Sequence, residues 1–293
     1  MRKVCLVLMT LFSTSVPAQE LVTFENGQIA EAADVNANFS LLLEKVESLQ
    51  LRVQVLENLQ QASFGCNGKV AAFTPVYREE FDFDRAYINV PSSEALHLPN
   101  AFTIEARVKL TAYPDVVSTG TGTTWVINKR GVAGDNREYG VWIDHQGYLW
   151  FDVFHDGTLE NATRTRSNDV VPLNQWVHLA ISSDGVSLAM HIGGKTTVDN
   201  PMPSPQFQGS YPLNIGGADN AGRSHQSIYG YLDEVRISDV ARYQGADFLP
   251  SEQGFSLDNN TLLLMNFEDG LTNLGTVGGD GSPVGFVNIV GCS

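Results

Sequence analysis

Four side chains in one short stretch have the types and spacing of a sugar-contacting surface. Residues 139–157 read YGVWIDHQGYLWFDVFHDG, and two strands around a tight turn would place Trp142, Tyr148, Trp150 and Asp152 on one face. Sugar rings stack on indole and phenol rings, and a nearby carboxylate accepts hydrogen bonds from sugar hydroxyls. Because clustered aromatic side chains on a surface tend to mark contact sites, the stretch predicts a glycan-binding platform.

The opposite face of the same hairpin is apolar and is predicted to lie in a core. This register assumes a three-residue loop, His145-Gln146-Gly147, with a left-handed glycine, and it also puts Phe154 on the aromatic face. Two other uses of that face stay open: loops at 115–122 and 161–168 are long enough to fold over and bury it, or it could contact another protein. The predicted core residues are Tyr139, Val141, Ile143, Leu149, Phe151 and Val153.

The acidic residues suggest a metal ion more than a reaction. Calcium binds six to eight oxygens, many of them from loop carboxylates and carbonyls. The candidate ligands are Asp82, Asp84, Asp219 and Asp233, although no EF-hand spacing connects them.

No set of residues has the spacing of a catalytic site. Glycoside cleavage needs two carboxyls about 5–10 Å apart across the bond. Asp82 and Asp84 alternate but have no glutamate partner, and Asp233 and Glu234 are adjacent, so in a regular strand they point to opposite faces. No Gly-x-Ser-x-Gly or His-Glu-x-x-His motif occurs. We therefore assign no catalytic residues.

The start of the chain predicts export. Arg2 and Lys3 precede a short apolar run and small residues that end at Ala18, as in a cleaved signal peptide over 1–18. No later segment is long and apolar enough for a transmembrane helix. The formal charge is −15, and it becomes −17 when the two leader cations are removed. Such acidity argues against a nucleic-acid partner, since phosphate binding needs clustered Lys and Arg.

The next segment predicts self-association. Residues 19–38 are polar and resemble a short leader that precedes coiled coils in exported bacterial proteins. A heptad seam follows in residues 39–61, which predicts a coiled coil and a homo-oligomer, either dimer or trimer. A single helix docked on the rest of the protein is the alternative. The seam residues are Phe39, Leu42, Val46, Leu49, Val53 and Leu56.

Two cysteines, Cys66 and Cys292, remain after the leader is removed. An even number in an exported chain predicts a disulfide, either within the chain or between subunits. Between them the hydrophobic period is two, with turn residues between many short runs. Residues 66–293 are therefore predicted to form an all-β, antiparallel two-sheet sandwich.

Four ordered blocks carry a family resemblance: FTIEARVKL at 102–110, NQWVHLAISSDG at 174–185, GYLDEVRISDVAR at 230–242 and DNNTLLLMNFEDG at 258–270. Together they resemble the laminin-G-like jelly rolls of the concanavalin A-like lectin and glucanase superfamily. The resemblance implies sugar binding, adhesion or polysaccharide cleavage, with calcium at a rim in some relatives.

From these patterns we predict a secreted, non-catalytic, lectin-like module that needs no cofactor other than calcium. It would recognise a glycan or cell-surface polymer, and the coiled coil would gather several copies. An adhesive protein that binds another protein, or a glycan hydrolase of the same fold, are the alternatives.

Overall fold

The chain divides into two compact units, Met1–Ala62 and Ser63–Ser293. The computed structural model describes residues 31–63, 66, 68–74, 86–98, 100–115, 122–131, 136–202, 206–218 and 226–292. The predicted signal peptide and most of the polar leader lie outside these residues. None of the helices in the described ranges combines the length and the apolarity that a membrane span requires.

The described residues of the first unit form a helix, α1, which spans Ala32–Ser63 and so begins within the segment predicted as polar leader. Four side chains of the predicted seam are exposed: Phe39, Leu42, Val46 and Leu49. Exposed apolar side chains at heptad spacing are typical of a helix that pairs with other helices. The coiled coil itself stays a prediction.

The described part of the second unit contains fifteen strands. They are β1 (Lys69–Phe73), β2 (Ala86–Val90), β3 (Phe102–Ala112), β4 (Thr123–Arg130), β5 (Arg137–Asp144), β6 (Tyr148–Phe154), β7 (Ala162–Val170), β8 (Val177–Ser183), β9 (Ser187–Ile192), β10 (Lys195–Pro201), β11 (Leu213–Ile215), β12 (Tyr229–Ser238), β13 (Thr261–Met265), β14 (Ser282–Gly285) and β15 (Val287–Gly291). A 3₁₀ turn, Glu94–Leu96, lies between β2 and β3.

The strands form two antiparallel sheets, which confirms the predicted sandwich. One sheet has the order β10-β9-β8-β3-β12-β1-β15, with β13 also paired to β12. The other has the order β14-β2-β11-β4-β5-β6-β7. Their inner faces share one apolar core, since alternate residues of each strand point towards the opposite sheet.

The hairpin β5–β6 has the predicted register. Val141 pairs with Phe151 in the core, Trp142 pairs with Trp150 on the outer face, and Gly147 adopts a positive φ of 92° in the turn. All six residues predicted for the core on this hairpin are buried in it. The alternation of the sequence therefore assigned the inner and outer faces correctly.

The segment at 161–168, one of the two loops considered as a cover for the aromatic face, is not a loop, because residues 162–168 belong to strand β7. Its inward residues Thr165 and Ser167 are small and polar, so no apolar alternation marks it. Strand β10 carries just one apolar core residue, Val198, so its sequence shows no apolar alternation either. Both strands lie at sheet edges. Polar edge strands discourage pairing with other chains, and this same polarity hides them from a hydrophobic pattern.

The last two strands, β14 and β15, belong to different sheets. Strand β14 pairs with β2 in one sheet, and the next strand, β15, pairs with β1 in the other. Cys66 and Cys292 form the predicted disulfide within the chain, beside the β1–β15 pair. A cross-link closing so long a loop stabilises by about 5 kcal/mol in the chain-entropy model.

The outer face of the eight-stranded sheet buries an ion-pair network around Glu105. Its carboxylate accepts hydrogen bonds from Arg236 at 2.7 Å and from the Tyr243 hydroxyl at 2.9 Å, and His178 Nε2 lies 2.9 Å away. Burial alone would raise the pKa of Glu105, but the His178 hydrogen bond and the charges of His178 and Arg236 hold it below its ordinary value. Phe248 and Phe255 pack their rings on His178 and cover the network.

We expect Glu105→Gln to destabilise the fold by about 3–5 kcal/mol at neutral pH, because it leaves the buried Arg236 without a counter-charge. The pKa of Glu105 in the folded protein lies below its unfolded value of about 4.3, so the charged carboxylate stabilises the fold at pH values above about 4.3. This stabilisation is lost as the pH falls through the folded pKa. The difference between the two proteins should therefore shrink in acid. Urea unfolding at pH 7 and pH 3.5 measures both effects.

The matched control is Asp169→Ala, which removes an exposed pair with Lys195 at 3.3 Å. Its cost should stay below about 1 kcal/mol. Equal costs for the two variants would contradict the role given to Glu105.

Candidate functional site

The outer face of the seven-stranded sheet carries a pair of stacked indoles. Trp142 and Trp150 are cross-strand partners, and their rings lie 4.9 Å apart between centroids with an angle of 8° between planes. Both side chains are partly exposed. Each ring gives one face to the other, so the pair presents a single rigid aromatic block instead of two separate platforms.

Two aspartates fix this block through the indole N–H groups. Trp142 Nε1 donates to Asp152 Oδ1 and Trp150 Nε1 donates to Asp144 Oδ2, both at 2.9 Å. Asp144 Oδ1 also accepts the backbone N–H groups of Gln146 and Tyr148, so one carboxylate holds the turn and a ring together. Hydrogen bonds to a charged acceptor are the stronger kind, and they limit rotation of both indoles.

The block continues towards β4 through a third indole. Trp125 lies 6.0 Å from Trp142 between ring centroids, and its Nε1 donates to Gln226 Oε1 at 2.9 Å. It is buried beneath Arg130, whose guanidinium carbon lies 4.5 Å from the ring centre. Gly140 makes room for the ring, since a Cβ there would lie 2.3 Å from Trp125 Cζ3.

Towards β7 the block meets two arginines. Arg166 lies with its guanidinium carbon 4.3 Å from the centre of the Tyr148 ring and 5.9 Å from that of Trp150. Arg164 approaches Asp152 at 3.5 Å. A guanidinium over an aromatic face is attracted by the ring quadrupole and keeps its N–H groups available at the edges.

A polar cavity opens beside Arg166. It measures about 330 Å³ and lies between the edge strands β7 and β10, within the range of about 300–1,000 Å³ typical of small-molecule sites. Besides Arg166, the lining residues are Asn168, Thr196, Thr197, Val198, Asp199 and Asn200.

The predicted glycan-binding residues thus lie together but in different environments. Trp142, Tyr148 and Trp150 are partly exposed, whereas Asp152 is buried beneath them. The expectation that Phe154 is displayed on this face is wrong, because its side chain is fully buried. The loop at 115–122 lies mostly outside the described residues, so its predicted covering role is untested.

Sequence reasoning did not identify Trp125, Asp144, Arg130, Arg164 or Arg166 as parts of this face. A signal for the last two exists in the run ATRTRS, where Arg alternates with small polar residues. That period of two indicates a strand with a cationic face. The position of Trp125 depends on the β4–β5 pairing, which the sequence does not reveal.

Charges on this face perturb one another. Burial raises the pKa of Asp152, against the Trp142 hydrogen bond and the charges of Arg164 and Arg130. Burial also lowers the pKa of Arg130 to about 10, helped by the like charge of Arg137. Arg130 therefore stays charged at neutral pH, and the cations here lie close enough to repel one another.

Of the calcium candidates, Asp82, Asp84 and Asp219 lie outside the described residues. Asp233 is buried at a bulge of β12 opposite Arg107, so the strict alternation expected for Asp233 and Glu234 does not apply. Burial and the charge of Glu234 raise the pKa of Asp233 to about 7. Within the described ranges no group of three or more His, Cys, Asp or Glu could hold a metal. Calcium binding stays a prediction.

The sequence and the fold of this chain both resemble those of known proteins. A laminin G model described as the concanavalin A-like lectin/glucanases superfamily matches residues 83–245. No protein of curated function matches the sequence significantly.

Three solved structures illustrate the similarity of fold. A candidate carbohydrate-binding protein from Bacteroides ovatus ATCC 8483 aligns at 16% identity with a TM-score of 0.52 over 77% of this chain, and the chain covers 60% of that protein. A heptameric SAP-like pentraxin from Limulus polyphemus aligns at 14% identity, TM-score 0.46, over 78% of this chain and 96% of its own. The CBM40 module of a Ruminococcus gnavus IT-sialidase, bound to α2,3-sialyllactose, aligns at 13% identity, TM-score 0.42, over 53% and 88%.

Gly140→Ala tests the packing of the aromatic face. The new methyl group must displace Trp125, so we expect a loss of about 1–3 kcal/mol in the free energy of unfolding and a changed near-ultraviolet circular dichroism spectrum. Gly291→Ala is the control, because a Cβ there meets no atom within 4 Å. It should change stability by less than about 0.5 kcal/mol. An unchanged spectrum and stability in Gly140→Ala would show that the indoles are not packed as described.

Proposed function

Because this chain belongs to the concanavalin A-like lectin/glucanases superfamily, we propose that its aromatic face binds a glycan without cleaving it. The observation that carries the proposal is the stacked pair of Trp142 and Trp150, partly exposed and fixed by hydrogen bonds. A sugar would lie against the uncovered surface of this block, beside Tyr148 and the cavity. A rigid aromatic surface loses little conformational entropy when a ligand binds.

The carboxylates on this face support binding over cleavage. A general acid or nucleophile must reach the glycosidic bond, yet Asp144 and Asp152 are both buried and both accept an indole N–H. Asp152 also faces Arg164. Their geometry suits the positioning of the two rings, so we assign them as positioning residues for the tryptophans.

We also propose that the protein is exported and acts as a multimer. The disulfide Cys66–Cys292 fits an oxidising compartment, where such bonds persist. The exposed seam of α1 would join two or three copies. Several weak sites on one particle gain avidity through effective concentration, by about 10²–10⁴. We further propose that the protein binds calcium, with Asp82, Asp84 and Asp219 as candidate ligands.

Tryptophan variants test glycan binding. On a glycan array, Trp142→Ala and Trp150→Ala should each lower the affinity for any bound glycan at least tenfold, about 1.4 kcal/mol, because each removes half of the stacked block. Trp176→Ala is the matched control: this partly buried indole packs on Tyr231 of the eight-stranded sheet. Unchanged binding in both test variants would rule out the proposed face. Release of reducing sugars from a bound polysaccharide would indicate a hydrolase instead.

Seam variants test multimerisation. In sedimentation of residues 19–293, Leu49→Asp should convert the oligomer to monomer, since a charge at a core heptad position must be buried on assembly. Ser48→Asp adds the same charge off the seam and should leave the mass unchanged. A wild-type protein that sediments as a monomer would eliminate the coiled coil.

A further inference from the structure

Arginines gather on the aromatic face of a strongly acidic protein. The chain has 18 Lys and Arg against 33 Asp and Glu. Even so, Arg130, Arg164 and Arg166 all lie along the aromatic block, and Arg137 is close enough to Arg130 to lower its pKa. This face is therefore a local cationic region, and it coincides with the proposed glycan site.

The arginines differ in what they contact. Arg130 is stacked over Trp125 and Phe154, and Arg164 reaches Asp152 and donates to the Leu159 carbonyl at 3.2 Å. Arg166 has neither an ion pair nor a hydrogen bond with any of the residues that the structure describes. Its side chain is exposed, and its guanidinium carbon lies 4.3 Å from the centre of the Tyr148 ring.

Arg166 lies between the indole block and the cavity. One side of its guanidinium lies near Trp150, and the residue also lines the cavity between β7 and β10. Asn168 and Asn200 in that lining offer side-chain amide groups for sugar hydroxyls, while Asp199 is the one acidic lining residue. A ligand that spans the indole block and the cavity must pass the N–H groups of Arg166.

We propose that the glycan bound here is acidic, and that Arg166 binds its carboxylate or sulfate group. A planar guanidinium donates two parallel N–H bonds to an oxyanion, which a neutral sugar does not offer. The negative charge of the whole protein repels polyanions at long range, so the attraction is confined to contact distance. This inference rests on the proposed glycan-binding function and specifies its ligand class.

Matched charged and neutral oligosaccharides test the inference by calorimetry on residues 19–293. The carboxylate arm compares tetragalacturonate with its carboxyl-reduced counterpart, and the sulfate arm compares a heparin tetrasaccharide with its desulfated form. The wild type should bind the charged member of at least one pair tenfold or more tightly than the neutral one. The arm that shows the preference identifies the oxyanion.

Arg166→Gln should abolish that preference, so that the charged and neutral members bind this variant with affinities within about twofold of each other. Arg166→Lys keeps the charge but loses the planar fork, so it should retain only part of the preference. The control is Lys109→Gln, which removes a cation over Tyr231 on the other sheet and should leave the preference intact. Thermal melting of each variant checks that the fold persists.

The outcomes separate the two proposals. A preference that survives in Arg166→Gln, or a wild type that binds neutral members equally well, would overturn the acidic ligand while leaving the glycan site in place. Absence of binding to every charged and neutral member would count against both. The supporting result is that Arg166→Gln loses the preference and still binds the neutral member, while the Lys109→Gln control keeps the preference.

Discussion

Burial of one face of every strand between the two sheets is the constraint on which this structure depends. Side chains alternate with a period of two, so a strand that gives one face to the core must turn the other face outward. In the hairpin β5–β6 the inward set, which includes Val141 and Phe151, fixes the register. Trp142 and Trp150 are then forced to become direct neighbours on the outer side, where cross-strand pairs lie about 5 Å apart.

The outer faces of the two sheets accommodate their polar and aromatic side chains in different ways. On the eight-stranded sheet, the charges of Glu105 and Arg236 are paired and covered by aromatic side chains from residues 243–255. On the seven-stranded sheet, each of the two stacked indoles donates its N–H to an aspartate. The described chain leaves the rings of the second face partly exposed. The contrast separates a stabilising outer surface from one that is available for contact.

Satisfaction of the indole N–H groups also limits what the face can do. A sugar cannot use those donors, and it meets only part of each ring because the two rings cover one another. Among the described residues, Arg166 and the cavity lining supply further hydrogen-bonding groups beside the rings. The chemistry of the face thus depends more on strand β7 than on the hairpin whose aromatics first suggest a site.

The sequence by itself determined the sandwich, the faces of the β5–β6 hairpin and the cysteine pair. Alternation of apolar residues and parity of cysteines are local or countable properties that need no coordinates. Strands β7 and β10 escaped prediction because their sequences show no apolar alternation, as suits sheet edges. Only the tertiary structure brought Arg166 onto Tyr148, set Trp125 against Gly140 and surrounded Glu105 with distant partners. Each of these contacts follows from which strands pair and in what register, and that choice is made by packing over the whole core, not by any local run of residues.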